Sequence, residues 1–331
     1  MQRYEDLTRA GQVRRMHTLA KLACTNYELG EISLTPLAHF FNTTFRIDNR
    51  KSGERFVVRI HRAGGPGVQA IESELHWLQA LRSDVGLVVP EPVLTREGKL
   101  VTCVTTPGIP EPRQCVIFRW VDGRFLRAQL GIKEVERVGA FMATLHLHAE
   151  GYIVPASFSR PRWDYEGVCG GALGIDLAQS RRHLSPEGQA ILARASQSVQ
   201  QAMRSLGEDR AVFGLIHADL YERNYLFSSQ EVHAIDFDGC GRGYYLFDIG
   251  VSFSTLMARS NYAALRAAFL AGYRSVRGLS IEHEALIDTF IAARLIGHIQ
   301  WLAAHIEEPA YGERARKRIA YELAELSTLL V

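Results

Sequence analysis

The sequence predicts an α+β protein of two lobes: a small β-sheet lobe carrying one helix, then a large, mostly helical lobe. Three observations predict it. β-rich runs flank the turn-rich "DNRKSG" near residue 50. Apolar residues then recur at helical spacing in "GVQAIESELHWLQALR". From about Arg259 the pattern is helical to the end.

In order, "NTTFRIDNRKSGERFVVRIHR" is a hairpin, and Ile71, Leu75, Leu78 and Leu81 mark the apolar stripe of the helix after it. "VVPEPV" ends that helix, because each Pro biases its predecessor towards extended backbone. Short strands at "KLVTCVT" and "QCVIFRW" complete the sheet, which finishes near "VDG", Val121 to Gly123. We place the lobes at 1–120 and 121–331. In the second, "KEVERVGAFMATLHLH" puts Val135, Val138, Met142 and Leu145 on one helical face. After a long intervening segment comes a strand-loop-strand unit, "VFGLIHADLYERNYLFSSQEVHAIDFDG".

Composition is that of an ordinary globular chain, 47% hydrophobic and 22% charged with a net charge of +2. That balance argues against nucleic acid or a membrane surface as the main partner. No run approaches the roughly 18 uninterrupted apolar residues of a membrane span. The start, "MQRYEDLTRA", has no apolar signal segment, and the five Cys lack Cys-x-x-Cys spacing. They fit reduced thiols in a cytoplasmic protein.

"VHAIDFDG" runs an apolar stretch into two acids one residue apart. Asp-x-Asp at a strand end can serve a phosphatase, or its first acid can hold the metal of a phosphotransferase. The neighbours favour the second. "HADLYERN" sets His217, Asp219, Leu220 and Asn224 in the spacing His-x-Asp-Leu-x-x-x-Asn of the protein-kinase catalytic loop, with Asp236 twelve residues beyond Asn224. Phosphoryl transfer needs a held, deprotonated acceptor hydroxyl and cations spanning the phosphates. Asp219 suits the first task; Asn224 and Asp236, as hard oxygen ligands, suit the second. The phosphatase motif ends in Thr or Val, whereas Asp238 is followed by "GCG". The role of Asp238 stays open between a helper near the metal and a structural acid.

Here the chain resembles the superfamily of aminoglycoside phosphotransferases, choline kinases and homoserine-kinase-like enzymes. The resemblance rests on "LIHADLYERNYLF", "AIDFDGCGRGYYLFDIG" and the lobe order, from about Leu34 onward. "RPRWD" and "VVPEPV" are most similar to the bacterial branch containing the stress response kinase. The resemblance implies a protein-kinase-like fold, ATP and Mg2+, and helices inserted between 151 and 214 that help form the acceptor site. Where that family has His-Gly-Asp, this chain has His217-Ala218-Asp219.

In "RFVVRIH", Val57 and Arg59 share a face and match the kinase pattern Val-Ala-Ile-Lys, with Arg in place of Lys. Only five of the 38 basic residues are Lys, so Arg here is weaker evidence of selection than usual. Glu74 borders an apolar helical stripe, where an acid is costly unless paired, and the kinase pattern makes Arg59 its partner. The hinge-like "IFRWVDG" offers the Arg119 carbonyl and Val121 amide to adenine, and Asn42, Thr43 and Thr44 stand where the phosphate-covering turn belongs. His217 and Asp248 are expected to brace the loop. "RAGGPG" is no P-loop, and the His pairs lack a third zinc ligand.

The expected activity is an ATP- and Mg-dependent transfer of the γ-phosphoryl group to a hydroxyl of a small metabolite: an amino alcohol, hydroxy amino acid, sugar or aminoglycoside. A protein Ser/Thr kinase and a non-catalytic nucleotide-binding pseudokinase are the alternatives. The acceptor and its pocket are not readable in the sequence.

Overall fold

The computed structural model describes residues 2–229, 231–308 and 311–329. The chain forms two compact units, one of residues up to 122 together with 154–159, the other of 123–153 and 160 onward.

The first unit is built on a five-stranded antiparallel sheet of order β1-β2-β3-β5-β4. Its elements are α1 (Arg9–Cys24), β1 (Ile32–His39), β2 (Thr43–Asn49), β3 (Arg55–Ile60), α2 (Val68–Val85), β4 (Thr102–Val104) and β5 (Arg113–Arg119). Alternation along β3 separates two environments. Phe56, Val58 and Ile60 join Phe45 and Ile47 in a core sealed by Met16, Leu19, Ala20 and Ala23 of α1. Arg59 and His61, on the opposite face, are buried too.

Helix α1 was not among the elements assigned from sequence. Its buried stripe consists largely of small residues among Arg and Lys, so the apolar period is faint. A Thr8 side chain accepting the Gly11 amide starts it. Residues 154–159, distant in sequence, dock on α2: the Gln69 amide donates to the Ser157 carbonyl, and the Ser159 amide donates to Ser73 Oγ.

The second unit is mostly helical. Its elements begin with α3 (Ile132–Gly151), β6 (Arg162–Trp163), α4 (Tyr165–Val168), α5 (Leu177–Arg182) and α6 (Pro186–Leu206). The strands β7 (Phe213–Ile216), β8 (Tyr225–Ser228), β9 (Glu231–Ala234) and β10 (Gly241–Tyr244) follow. Helices α7 (Tyr245–Leu256), α8 (Tyr262–Arg274), α9 (Ile281–Ala285), α10 (Ile287–Ala304) and α11 (Gly312–Thr328) complete it. Strands β6, β10 and β7 form one small sheet in that order, and β8 and β9 form a hairpin. Helix α7 is buried on nearly every side, the mark of a helix in the middle of a core. No helix among the described residues is long and apolar enough to cross a membrane.

Two glycines set the closest crossing of this unit. A Cβ on Gly139 of α3 would lie 2.0 Å from the Phe269 carbonyl oxygen of α8. One on Gly272 of α8 would lie 1.8 Å from the Glu136 carbonyl oxygen of α3. The backbones therefore touch without intervening side chains. Gly139→Ala or Gly272→Ala should each lower the unfolding free energy by about 1–3 kcal/mol, the usual cost of overpacking. Because one displacement of α8 relieves both clashes, the double variant should lose less than the sum. Full additivity in denaturant midpoints would show that the two contacts are independent.

Candidate active site

The loop between β7 and β8 carries Asp219, and buried groups behind it decide its shape. Asp248, in the first turn of α7, is fully buried and accepts hydrogen bonds from the His217 amide (3.0 Å) and the Ala218 amide (2.7 Å). His146 of α3 donates to the same carboxylate from Nε2 at 3.1 Å, while its Nδ1 accepts from the Tyr273 hydroxyl at 2.9 Å. Burial holds the His146 ring below its ordinary pKa and so neutral, although the Asp248 charge works against it. Burial alone would push the Asp248 carboxyl up; its hydrogen bonds from His146 and the loop amide outweigh that and hold it below the ordinary value. Burial also pushes the Tyr273 phenol up to about 12, which keeps it a donor.

These bonds explain how Ala replaces Gly beside Asp219. Ala218 has φ 64°, in the left-handed region where a Cβ costs about 1 kcal/mol or more. The charge-assisted bond from its amide to Asp248 offsets that cost. His217 braces the loop from inside, as expected. Its Nε2 donates to the Ile235 carbonyl at 3.1 Å, and its Nδ1 accepts the Asp219 amide at 3.3 Å. Ser252 of α7 adds a bond from its hydroxyl to the Leu220 carbonyl, 2.6 Å.

Asp219 and Asn224 are brought together. The Asn224 side-chain amide donates to the Asp219 backbone carbonyl at 2.8 Å and to Asp219 Oδ2 at 3.0 Å. With both protons committed, the buried Asn224 carboxamide has its oxygen left as a hard donor, which suits a divalent cation. Asp236 follows β9 with φ 63° and ψ 60°, a left-handed conformation that Asp tolerates, and its residue is exposed. The loop beyond it is gripped by the "RPRWD" segment. Arg160 donates to the Asp238 and Cys240 carbonyls, and the Trp163 indole donates to the Gly239 carbonyl at 2.9 Å. Asp238 thus sits in a clamped turn through its backbone.

Sequence reasoning missed two groups at this site. Arg294 of α10 donates to Asp219 Oδ1 at 2.7 Å. It interrupts the apolar run from Phe290 to Ile299, the same signal that picked out Glu74. Tyr221 is the other: burial pushes its phenol up, Asp219 adds to that, and Arg294 and Arg223 oppose it. Gly250 lets α7 approach α10, since a Cβ there would meet the Phe290 carbonyl oxygen at 2.6 Å.

In the first unit Arg59 and Glu74 form a two-pronged pair, Nη1 to Oε1 at 2.9 Å and Nη2 to Oε2 at 2.8 Å. Their side chains are 6% and 1% exposed, so the buried acid meets the partner anticipated for it. The Arg59 guanidinium also lies 5.0 Å from the Phe118 ring centre, and Val57 pairs with Phe118 across the strands. Asn42, Thr43 and Thr44 occupy the β1–β2 turn and the start of β2; the Thr43 hydroxyl already bonds His39 Nδ1 at 2.8 Å. Arg119 ends β5, its side chain between Glu54 and Glu91, and Val121 follows it. His298 and His305 engage Glu322 and the Trp301 carbonyl.

A five-stranded antiparallel sheet with a buried Arg–Glu pair, and a helical unit presenting an anchored His-x-Asp loop, define a protein-kinase-like phosphotransferase. The phosphotransferase enzyme family abbreviated APH matches residues 33–284, and the chain belongs to that family. It is similar to the homoserine kinase of Neisseria meningitidis serogroup B, 24% identical over 288 residues, which are 80% of this chain and 81% of that one. Among solved structures it is similar to a microcompartment-associated aminopropanol kinase, 29% identical with a TM-score of 0.84, covering 95% and 97% of the two chains. An amicoumacin kinase solved with AMP-PNP, Ca2+ and Ami is 20% identical with a TM-score of 0.78, covering 96% of each chain.

Three outcomes are expected. Asp248→Asn presents an amide to donors and should lose about 2–4 kcal/mol of stability, since buried amides go unmet. The depressed Asp248 pKa supplies stability that is complete above about 3.8 and is lost as pH falls through the lower folded value. The neutral His146 ring acts earlier, its contribution complete above about 6.5 and lost on acidification. Denaturant midpoints against pH should therefore fall less between 6.5 and 5 for His146→Gln than for the parent. Glu74→Ala should cost about 3–5 kcal/mol by stranding Arg59, whereas Arg59→Met with Glu74→Leu should recover most of that. No recovery in the double variant would mean that the pair itself holds the first unit together.

Proposed function

We propose that the protein transfers the γ-phosphoryl group of ATP, with Mg2+, to a hydroxyl of a small metabolite: an amino alcohol, hydroxy amino acid, sugar or aminoglycoside. The observation that carries this reading is the Asp219–Asn224 contact on a loop anchored by Asp248. Asp219 has one oxygen on Arg294 and the other on Asn224, and each carboxylate oxygen keeps a lone pair for the acceptor hydroxyl. It would orient that hydroxyl and take its proton as the oxygen attacks the γ-phosphorus. Asn224 and Asp236 would hold the cation, which when bound neutralises charge developing on the phosphates.

In the nucleotide's assignment, Arg59 replaces the usual Lys on the phosphates and Glu74 fixes its direction. The turn at Asn42, Thr43 and Thr44 would cover the phosphates, with the Thr43 hydroxyl contributing least because His39 holds it. Val57 would pack on adenine, with the Arg119 carbonyl and Val121 amide at its edge. Relatives named for homoserine, aminopropanol and amicoumacin support a small acceptor over a protein Ser or Thr. The pseudokinase alternative drew on Arg59 and Ala218; a formed Arg59–Glu74 pair and an Asp248-anchored Ala218 weaken that ground.

The test uses purified protein, Mg2+, γ-labelled ATP and a desalted extract supplemented with metabolites. Label should enter the small-molecule fraction. Asp219→Ala should keep nucleotide binding and lower transfer roughly 10²- to 10⁴-fold. Asp236→Ala should lose metal-dependent nucleotide binding as well, and normal Mg-ATP binding by that variant would sink the metal assignment. Asp219-dependent label in the protein fraction would reverse the choice of acceptor.

A further inference from the structure

Arg294 is a cation that the chain itself leaves largely unanswered. Its side chain is only 24% exposed, yet its one hydrogen bond among the described residues is the Nη2 contact to Asp219 Oδ1. A guanidinium has five N–H donors in a planar fork, so most of that fork meets no acceptor among the described residues. It is also held in place. Arg294 stands on α10 one turn after Phe290, where Gly250 brings α7 and α10 into backbone contact. The rest of its helix neighbourhood is apolar: Ile291, Ala293, Leu295 and Ile296 are buried. A structural Arg in such a helix is normally matched by acids; among the described residues this one has only the carboxylate assigned as the base.

A second guanidinium stands on the loop itself. Arg223 is exposed and makes no ion pair among the described residues, and both guanidiniums act on the Tyr221 phenol. Asp219 and Asp236 act on the same phenol with the opposite sign, so Arg294, which touches Asp219 directly, is the cation that bears on an acceptor there. An acceptor carrying only an ammonium group would leave the open fork of Arg294 unanswered. One carrying an anion close to its hydroxyl would satisfy the open fork of Arg294 while the hydroxyl lies on Asp219.

We propose that Arg294 binds a carboxylate on the phosphate acceptor, so that the acceptor is a hydroxy acid, most simply a hydroxy amino acid, rather than a simple amino alcohol. This rests on the reading of Asp219 as the base. In the bound state Arg294 bridges the acceptor carboxylate and Asp219, fixing the distance between the acceptor's anionic group and its reacting hydroxyl. No bond of Arg294 changes in the chemical step. Its contribution is to place the hydroxyl oxygen where Asp219 can take the proton as that oxygen attacks phosphorus.

The experiment uses three acceptor pairs, each differing by one carboxylate: L-homoserine with 3-aminopropan-1-ol, L-threonine with 1-aminopropan-2-ol, and L-serine with 2-aminoethanol. Phosphorylation with Mg-ATP is followed by kcat/KM, and binding is followed separately by calorimetry, for the parent, Arg294→Gln and Arg294→Lys. In at least one pair the parent should favour the carboxylate partner by roughly 10- to 100-fold, the range of a charge-assisted hydrogen-bonded pair. Arg294→Gln should remove that preference through KM for the hydroxy acid while changing the amino alcohol much less. Arg294→Lys, which keeps the charge without the fork, should fall between.

Equal losses for both partners, leaving their ratio unchanged, would show that Arg294 serves Asp219 alone and overturn the proposal. So would a parent enzyme with no carboxylate preference in any pair. A carboxylate preference in binding without any transfer would support the Arg294 assignment and sink the phosphotransfer reading instead. Melting temperatures of the variants separate these results from misfolding.

Discussion

Everything at the candidate site hangs on one buried carboxylate. Asp248 gathers two loop amides and the His146 ring onto one pair of oxygens, with no solvent to compete. A buried acid is tolerable only when so surrounded, and a loop held by such an acid has little freedom left. Its anchor lies in the first turn of α7, a helix packed on nearly every side. The position of Asp219 is therefore inherited from the helical core, not from the loop's own preferences. His146 extends the dependence to α3, and Tyr273 extends it to α8, whose backbone meets α3 at Gly139 and Gly272.

That arrangement accounts for the chain's departure from His-Gly-Asp. In isolation, Ala at φ 64° would relax to an ordinary conformation. Here its amide is fixed on Asp248 and its side chain is fully buried, so the strained backbone is over-determined by its surroundings. Asp236 shows the same economy with a residue that accepts the left-handed region more readily. The turn after it is closed by Arg160 and Trp163, about 75 residues earlier in the chain. A segment noticed for its family resemblance thus has a physical task, to hold the turn that follows Asp236.

The candidate site joins charges that the chain keeps far apart. Asp219 and Arg294 are 75 residues apart, and they meet because a glycine on α7 lets α10 come close. The Arg59–Glu74 pair in the other unit is closer in sequence and buried, and such a pair contributes orientation more than stability. The Arg59–Glu74 pair meets little water to screen it, which strengthens its alignment, whereas the Arg294 and Asp219 side chains are 24% and 34% exposed.

The sequence by itself determined the fold class, the paired strands around "DNRKSG" and the family, and it proposed the set Asp219, Asn224 and Asp236. Each of those signals is local: a period of two, a helical period, or a fixed spacing along one loop. Glu74 was legible for a related reason, an acid at the edge of an apolar stripe. Helix α1 was not, because its buried face is made of small residues that hardly alter the period. Arg294 and the Tyr273–His146–Asp248 chain could be placed only by tertiary structure. Helical spacing says which way a side chain points, but not which helix it meets. That choice was made by Gly139, Gly250 and Gly272, where absent side chains let backbones touch.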